Sequence, residues 1–211
     1  MARVIAIVLA VLLGILVLAG ILLYPDYTKQ KEALQACEKN LSDLEKKGQA
    51  SAAQLKSAQE TLVTSLNEQI KKQEVTIKEL QGGFSLSMVD RILFKLGEAT
   101  LTPQGEKVLA KVGEGLKQVQ GKIIRVVGHT DTIPIRKDFL EKFPSNWELS
   151  AARASTVVRY FQDKSGLDPK GMEAVGRSYY QPAAPMDTEK NRALNRRVEI
   201  LIAPTMELKE K

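Results

Sequence analysis

The sequence predicts an α/β domain carried behind a transmembrane helix and a helical coiled-coil stalk. Three features predict it. Residues 4–23 are twenty consecutive apolar residues or glycine, residues 29–81 repeat apolar positions in a 3-4 rhythm without a proline, and residues 84–204 alternate strand-like with helix-like segments. The expected divisions are 1–25 (membrane anchor), 26–83 (stalk), 84–204 (globular domain) and 205–211, a charged tail expected to be a solvated end.

Composition narrows the function classes. Of 211 residues, 44% are apolar and 27% charged, enough to build a core. Thirty-one Lys and Arg against twenty-five Asp and Glu leave a net charge of +6, dispersed along the chain. With aromatics at 5% and no basic cluster, a nucleic-acid partner is not expected. A single cysteine, Cys37, excludes an intrachain disulfide and a multi-cysteine zinc cluster. A single histidine, His129, excludes a multi-histidine metal site, so no metal or cofactor is expected.

A helix of roughly 20 residues spans the hydrocarbon core, whereas a cleaved signal has an apolar region of about 7–15 residues. The longer run at 4–23 therefore reads as an uncleaved signal anchor. It is followed by Tyr24 and Tyr27 as interfacial aromatics, with Pro25 expected to break the helix. Arg3 precedes the span while Lys29 and Lys31 follow it, so the positive-inside count does not favour an outside C-terminus. Cys37 in Leu34-Gln35-Ala36-Cys37 superficially resembles a lipoprotein box, but Asp26, Lys29, Lys31 and Glu32 separate it from the apolar run. Cys37 reads instead as a stalk core position.

In the stalk, Leu34, Cys37, Leu41, Leu44, Gly48, Ser51, Leu55, Ala58 and Leu62 form a seam that slips by one residue to Val63, Leu66, Ile70, Gln73, Ile77 and Leu80. A continuous helix of this length would extend about 75 Å. Such a stripe needs a partner. A parallel homodimer and packing back onto the chain's own domain both satisfy it. Gly82 and Gly83 are expected to end the helix.

In the globular part, 84–89 alternates as a strand. A helix follows over 103–120, burying Val108, Leu109, Val112 and Leu116. The strand 123–127 runs into Gly128-His129-Thr130-Asp131. The next helix opens at Ser145 with a capping-box pattern to Glu148 and is expected to bury Trp147, Ala151, Ala154, Val158 and Phe161 up to Gly166. Strands at 172–175 and 195–202 complete the pattern.

Asp131 falls just past a strand end. Asn146, Ser150 and Arg153 recur on the adjoining helix, about 100° from the expected core stripe, so they should flank the core. Two arrangements fit. Asp131 and Arg153 form an internal salt bridge, or they hold a zwitterion, with Arg153 on its carboxylate and Asp131 on its ammonium. No nucleophile elbow accompanies Ser145 or Ser150, so hydrolysis is not expected. His129 is expected to orient the loop.

Gly128-His129-Thr130-Asp131, the run from Asn146-Trp147-Glu148-Leu149-Ser150 through Ala151-Ala152-Arg153-Ala154, and Asn195-Arg196-Arg197-Val198-Glu199 resemble the peptidoglycan-binding domain shared by outer-membrane protein A and flagellar motor protein B. Leu93-Phe94-Lys95-Leu96-Gly97-Glu98-Ala99 and Leu101-Thr102-Pro103-Gln104-Gly105 are similar to the same family, and the 133–147 loop looks more like the motor-protein branch. The resemblance covers about 84–203. It implies an OmpA-like β-α-β-α-β sandwich, a mixed sheet with helices on one face. It further implies non-covalent, non-enzymatic binding of the wall's peptide stem. Asp131 and Arg153 would hold diaminopimelate, Asn146 and Thr130 would assist, and Arg196 and Arg197 match a terminal arginine pair. The domain would then lie in the periplasm, tethering the inner (cytoplasmic) membrane to peptidoglycan. The alternative is a stator-like or scaffold component whose wall binding is only a tether. The motor protein's intramembrane acid has no counterpart in 4–23, which argues against a stator.

Overall fold

The computed structural model describes residues 1–119 and 121–204. The expected solvated tail and the expected helix end at position 120 lie outside the described residues. Two compact units, Met1–Ala50 and Ser51–Lys211, are taken separately.

The first unit is helical throughout, part of helix α1 (Ala2–Ser65). Its segment Arg3–Ile21, 19 residues with mean hydropathy 3.2, is long and apolar enough to cross a membrane. The backbone stays helical through position 25, so the expected break is absent. A proline within a helix forgoes one backbone hydrogen bond at a cost of about 3 kcal/mol, which a helix of 64 residues carries. Leu34, Leu41 and Leu44 are exposed, as is Cys37.

The second unit opens with the remainder of α1, which behaves differently. Leu55, Ala58, Leu62 and Leu66 are buried in the core of the domain. The later part of the seam therefore packs on its own chain rather than on a partner. Val63, just past the register slip, is left exposed. The helix also stops earlier than expected. After α2 (Asn67–Lys71), Gln73 takes a left-handed φ of 57° and the chain enters strand β1 (Val75–Leu80), inside the region read as stalk. Val75, Thr76 and Ile77 are β-branched and favour an extended backbone. Gly82, at φ 75°, turns the chain, and β1 pairs antiparallel with β2 (Gly83–Val89).

The rest follows the alternating pattern: α3 (Asp90–Leu93), α4 (Pro103–Leu116), β3 (Lys122–His129), α5 (Asn146–Tyr160), β4 (Met172–Gly176), α6 (Glu189–Asn195) and β5 (Arg197–Pro204). The sheet order is β1-β2-β5-β3-β4, antiparallel except for the β3–β4 pair. Phe84, Leu86 and Met88 alternate inward on β2 and meet Val198, Ile200 and Ile202 of β5. Leu109, Val112 and Leu116 of α4 and Ala154 and Val157 of α5 join the same cluster. Helices thus cover one sheet face. The mixed sheet matches the expected class, while β1 and α6 are additions to it.

Candidate functional site

The end of β3 and the start of β5 lie side by side, His129 pairing with Arg197 in antiparallel register. That edge gathers residues far apart in sequence. Thr130 and Asp131 follow β3 directly. Helix α5 approaches because Gly128 and Gly176, partners across β3 and β4, have no side chains. A Cβ on Gly128 would sit 2.1 Å from the Ser150 carbonyl oxygen, and one on Gly176 would sit 2.8 Å from the Ala151 nitrogen.

The close approach rotates α5 relative to expectation. Its inward stripe is Asn146, Leu149, Ser150, Arg153, Ala154 and Val157. Trp147, expected in the core, is 47% exposed, and Ala151 also faces out. Asn146, Ser150 and Arg153 do not flank the core; they are buried in it. Polar groups tolerate this only when hydrogen-bonded. The Asn146 amide donates to the carbonyl of Ile133 at 3.1 Å, and Ser150 Oγ donates to the Trp147 carbonyl at 3.0 Å.

Asp131 and Arg153, 4% and 3% exposed, form no direct salt bridge in the structure. Arg153 Nη1 lies 2.9 Å from Asp90 Oδ2, its Nε donates to the Glu98 carbonyl at 3.0 Å, and its guanidinium lies over the Phe94 ring at 5.2 Å. Asp131 Oδ2 accepts from Arg196 Nη1 at 2.5 Å, while its Oδ1 accepts the Ile133 amide at 2.9 Å. Arg196 also reaches Glu189 at 2.7 Å, and its Nε is 3.9 Å from Asp90. Two arginines and three carboxylates form one connected cluster. Burial raises the Asp90 pKa against the pull of Arg153 and Arg196, and burial lowers that of Arg153 despite Asp90. Burial opposes the charge on Arg196 too, but the hydrogen bonds it donates to Asp131 and Glu189 outweigh it and raise its pKa.

The remaining expected residues divide. Thr130 is buried, its amide donating to the Ser178 carbonyl at 2.9 Å. Arg197 points away from Asp131, bonding Glu199 at 2.7 Å and the carbonyls of Asn195 and Gln181. Asn195 belongs to α6 rather than to a strand, and its side chain holds the amides of Ala183 and Ala184. His129 is buried with neither ring nitrogen hydrogen-bonded, and burial with Arg197 nearby lowers its pKa to about 4. Among the described residues no group of three or more His, Cys, Asp or Glu is disposed to hold a metal ion.

A family model described as the OmpA family matches residues 93–196. The cell wall anchor of the T6SS from Pseudomonas aeruginosa, a solved structure, is 31% identical, with a TM-score of 0.60 over 68% of this chain and 97% of that one. The chain belongs to the OmpA family. Motility protein B of Bacillus subtilis is 32% identical over 131 residues, 62% of this chain and 49% of the relative. Uncharacterized protein YtxE of the same organism is 37% identical over 148 residues, 68% of this chain and 60% of the relative. The chain thus spans about half to three-fifths of the length of these curated relatives.

Within this OmpA-family domain, the three motif blocks converge on one sheet edge. Asp90, Glu98 and Glu189 were not among the expected site residues. The signal for Asp90 is its place just after β2, whose Val89 pairs with Arg197. That pairing sets Asp90 beside Arg196, whose carbonyl accepts the Asp90 amide at 2.9 Å.

Proposed function

We propose that the chain binds peptidoglycan non-covalently and without catalysis, tethering the inner (cytoplasmic) membrane to the wall from a periplasmic C-terminal domain. One observation carries this reading. In an OmpA-family domain, a buried acid and a buried arginine sit in one cluster, each neutralised by its own separate partner. A zwitterion such as diaminopimelate of the peptide stem supplies substitutes for both partners. Its carboxylate takes the place of Asp90 at Arg153, and its ammonium takes the place of Arg196 at Asp131. Asn146 and Thr130 hold the Asp131 loop in place. Arg196 is the member of the arginine pair that faces the ligand, and Arg197 supports the strand. Exchange of internal for external partners keeps affinity modest, roughly micromolar to millimolar for one site.

The exposed Leu34, Cys37, Leu41 and Leu44, at 3-4 spacing, favour a second copy of the chain along the stalk. A dimer would engage two wall sites at once and raise avidity.

The test is sedimentation of the full chain in detergent with insoluble peptidoglycan. Wild type is expected in the pellet. Asp131→Asn, which keeps the turn acceptor, and Arg153→Lys, which keeps the charge, are expected in the supernatant with unchanged circular dichroism. Equal sedimentation of all three would sink the proposal.

A further inference from the structure

We infer that Trp147, Tyr180 and Tyr179 form a saccharide platform beside the charge cluster, a site for the pyranose rings of an N-acetylhexosamine polymer. This rests on the peptidoglycan reading above, because the platform's place gains its meaning from a ligand whose peptide stem is joined to a glycan.

The three rings form one stack. Trp147 and Tyr180 have centroids 5.4 Å apart at an interplanar angle of 25°, and Tyr180 and Tyr179 are 4.5 Å apart at 30°. Trp147 and Tyr180 nonetheless remain 47% and 61% exposed. Leaving large rings in water forgoes on the order of 1–3 kcal/mol each, so exposed aromatic surface of this kind marks a place where something binds. The tyrosine hydroxyls lie 3.3 Å apart. The platform therefore has apolar faces and a polar rim. A pyranose ring has the same character, with C–H groups on its face and hydroxyl or acetamido groups around its edge.

The stack is tied to the charge cluster by a short chain of hydrogen bonds. Ser150 Oγ donates to the carbonyl of Trp147 at 3.0 Å and accepts from the Ser178 amide at 3.1 Å. The Ser178 carbonyl in turn accepts the Thr130 amide at 2.9 Å. Ser178 is held at φ 51°, a left-handed conformation unfavourable for serine, and this aims Tyr179 and Tyr180 toward the first turn of α5. Trp147 follows Asn146 directly, and Asn146 holds the loop of Asp131. The groups that position the charged site therefore position the rings, and a stem peptide at one would present its glycan to the other.

Trp147 is the sole tryptophan, so its emission reports on the platform directly. The full chain in detergent is titrated with chitotetraose, a peptide-free N-acetylglucosamine oligomer, and in parallel with free diaminopimelate. Chitotetraose is expected to shift Trp147 emission saturably. Tyr180→Ala is expected to weaken that binding roughly three- to tenfold, while Tyr180→Phe restores it. The absence of a saturable response to chitotetraose overturns the inference. So does wild-type affinity in Tyr180→Ala, which would reduce the stack to a loop fastener. A response to diaminopimelate alone also overturns it, by making the rings part of the peptide site. Chitotetraose binding without diaminopimelate binding upholds the platform and removes the stem-peptide reading instead.

Discussion

Arg153 and Asp90 form a salt bridge of 2.9 Å, with both side chains largely withdrawn from water. Arg153 stands on α5 and Asp90 opens α3 at the end of β2, so the pair ties the helical layer to the sheet edge. A buried pair of this kind contributes little net stability but is costly to break, because one charge is left behind.

Asp90→Asn should therefore move stability and binding in opposite directions. Loss of the carboxylate charge leaves Arg153 undercompensated, and unfolding should become easier by about 3 kcal/mol. The same change frees Arg153 for a ligand carboxylate, so wall binding should tighten. Urea denaturation and sedimentation with peptidoglycan, on the same preparation, check both halves. Weaker binding would mean that Asp90 positions Arg153 instead of competing for it.

His129 sets an acid limit on stability. Its pKa falls from 6.5 to about 4 on folding, so the folded state disfavours the proton that the unfolded chain accepts. The contribution is complete above 6.5 and is lost as pH falls from there to about 4. The loss amounts to on the order of 3 kcal/mol. Thermal unfolding across pH 7.5 to 4 should show this slope, and His129→Gln should flatten it.

Gly128→Ala is expected to be severe. Its Cβ would meet the Ser150 carbonyl oxygen at 2.1 Å, and both groups belong to backbone that cannot rotate away. Strand and helix must separate, at a cost of at least about 2 kcal/mol, and Asn146 and Arg153 would move with the helix. Denaturant unfolding and wall sedimentation should both worsen.

The two parts of the heptad seam should respond differently to truncation. Leu62→Ala opens a hole in the domain core and should cost about 3 kcal/mol in denaturant unfolding. Leu41→Ala removes an exposed side chain and should leave that transition unmoved. If the stalk pairs, Leu41→Ala should instead lower the mass seen by analytical ultracentrifugation.

Legibility from sequence followed the range of the interactions. Strand and helix periods are local, so β2, β3, β4, β5 and most of α4 and α5 could be read. The motif residues Asp131, Asn146, Arg153 and Arg196 could be singled out because they occur in contiguous blocks. β1 escaped because Ile70 and Ile77, seven apart in a Lys- and Glu-rich stretch, fit a heptad as well as they fit a turn and a strand. Asp90 escaped because its pairing depends on the β2–β5 register, which joins positions more than a hundred residues apart. Trp147 was misplaced because its 4-3 spacing with Ala151, Ala154, Val158 and Phe161 reads as a core stripe, whereas the glycine-permitted approach of α5 turns the neighbouring polar stripe inward.

The sheet order has a consequence for how the domain comes into being. β5, the final described strand, lies in the middle of the sheet, and Leu86 waits for Ile200. Until that strand arrives, the β1–β2 hairpin and the β3–β4 pair have no common partner, and neither is a stable sheet alone. A growing or exported chain therefore stays loose until residues 197–204 are delivered, then closes around them in one step. Arg196 immediately precedes that strand, so the charged site is completed by the same event. While it is incomplete, the chain lacks the assembled charge cluster.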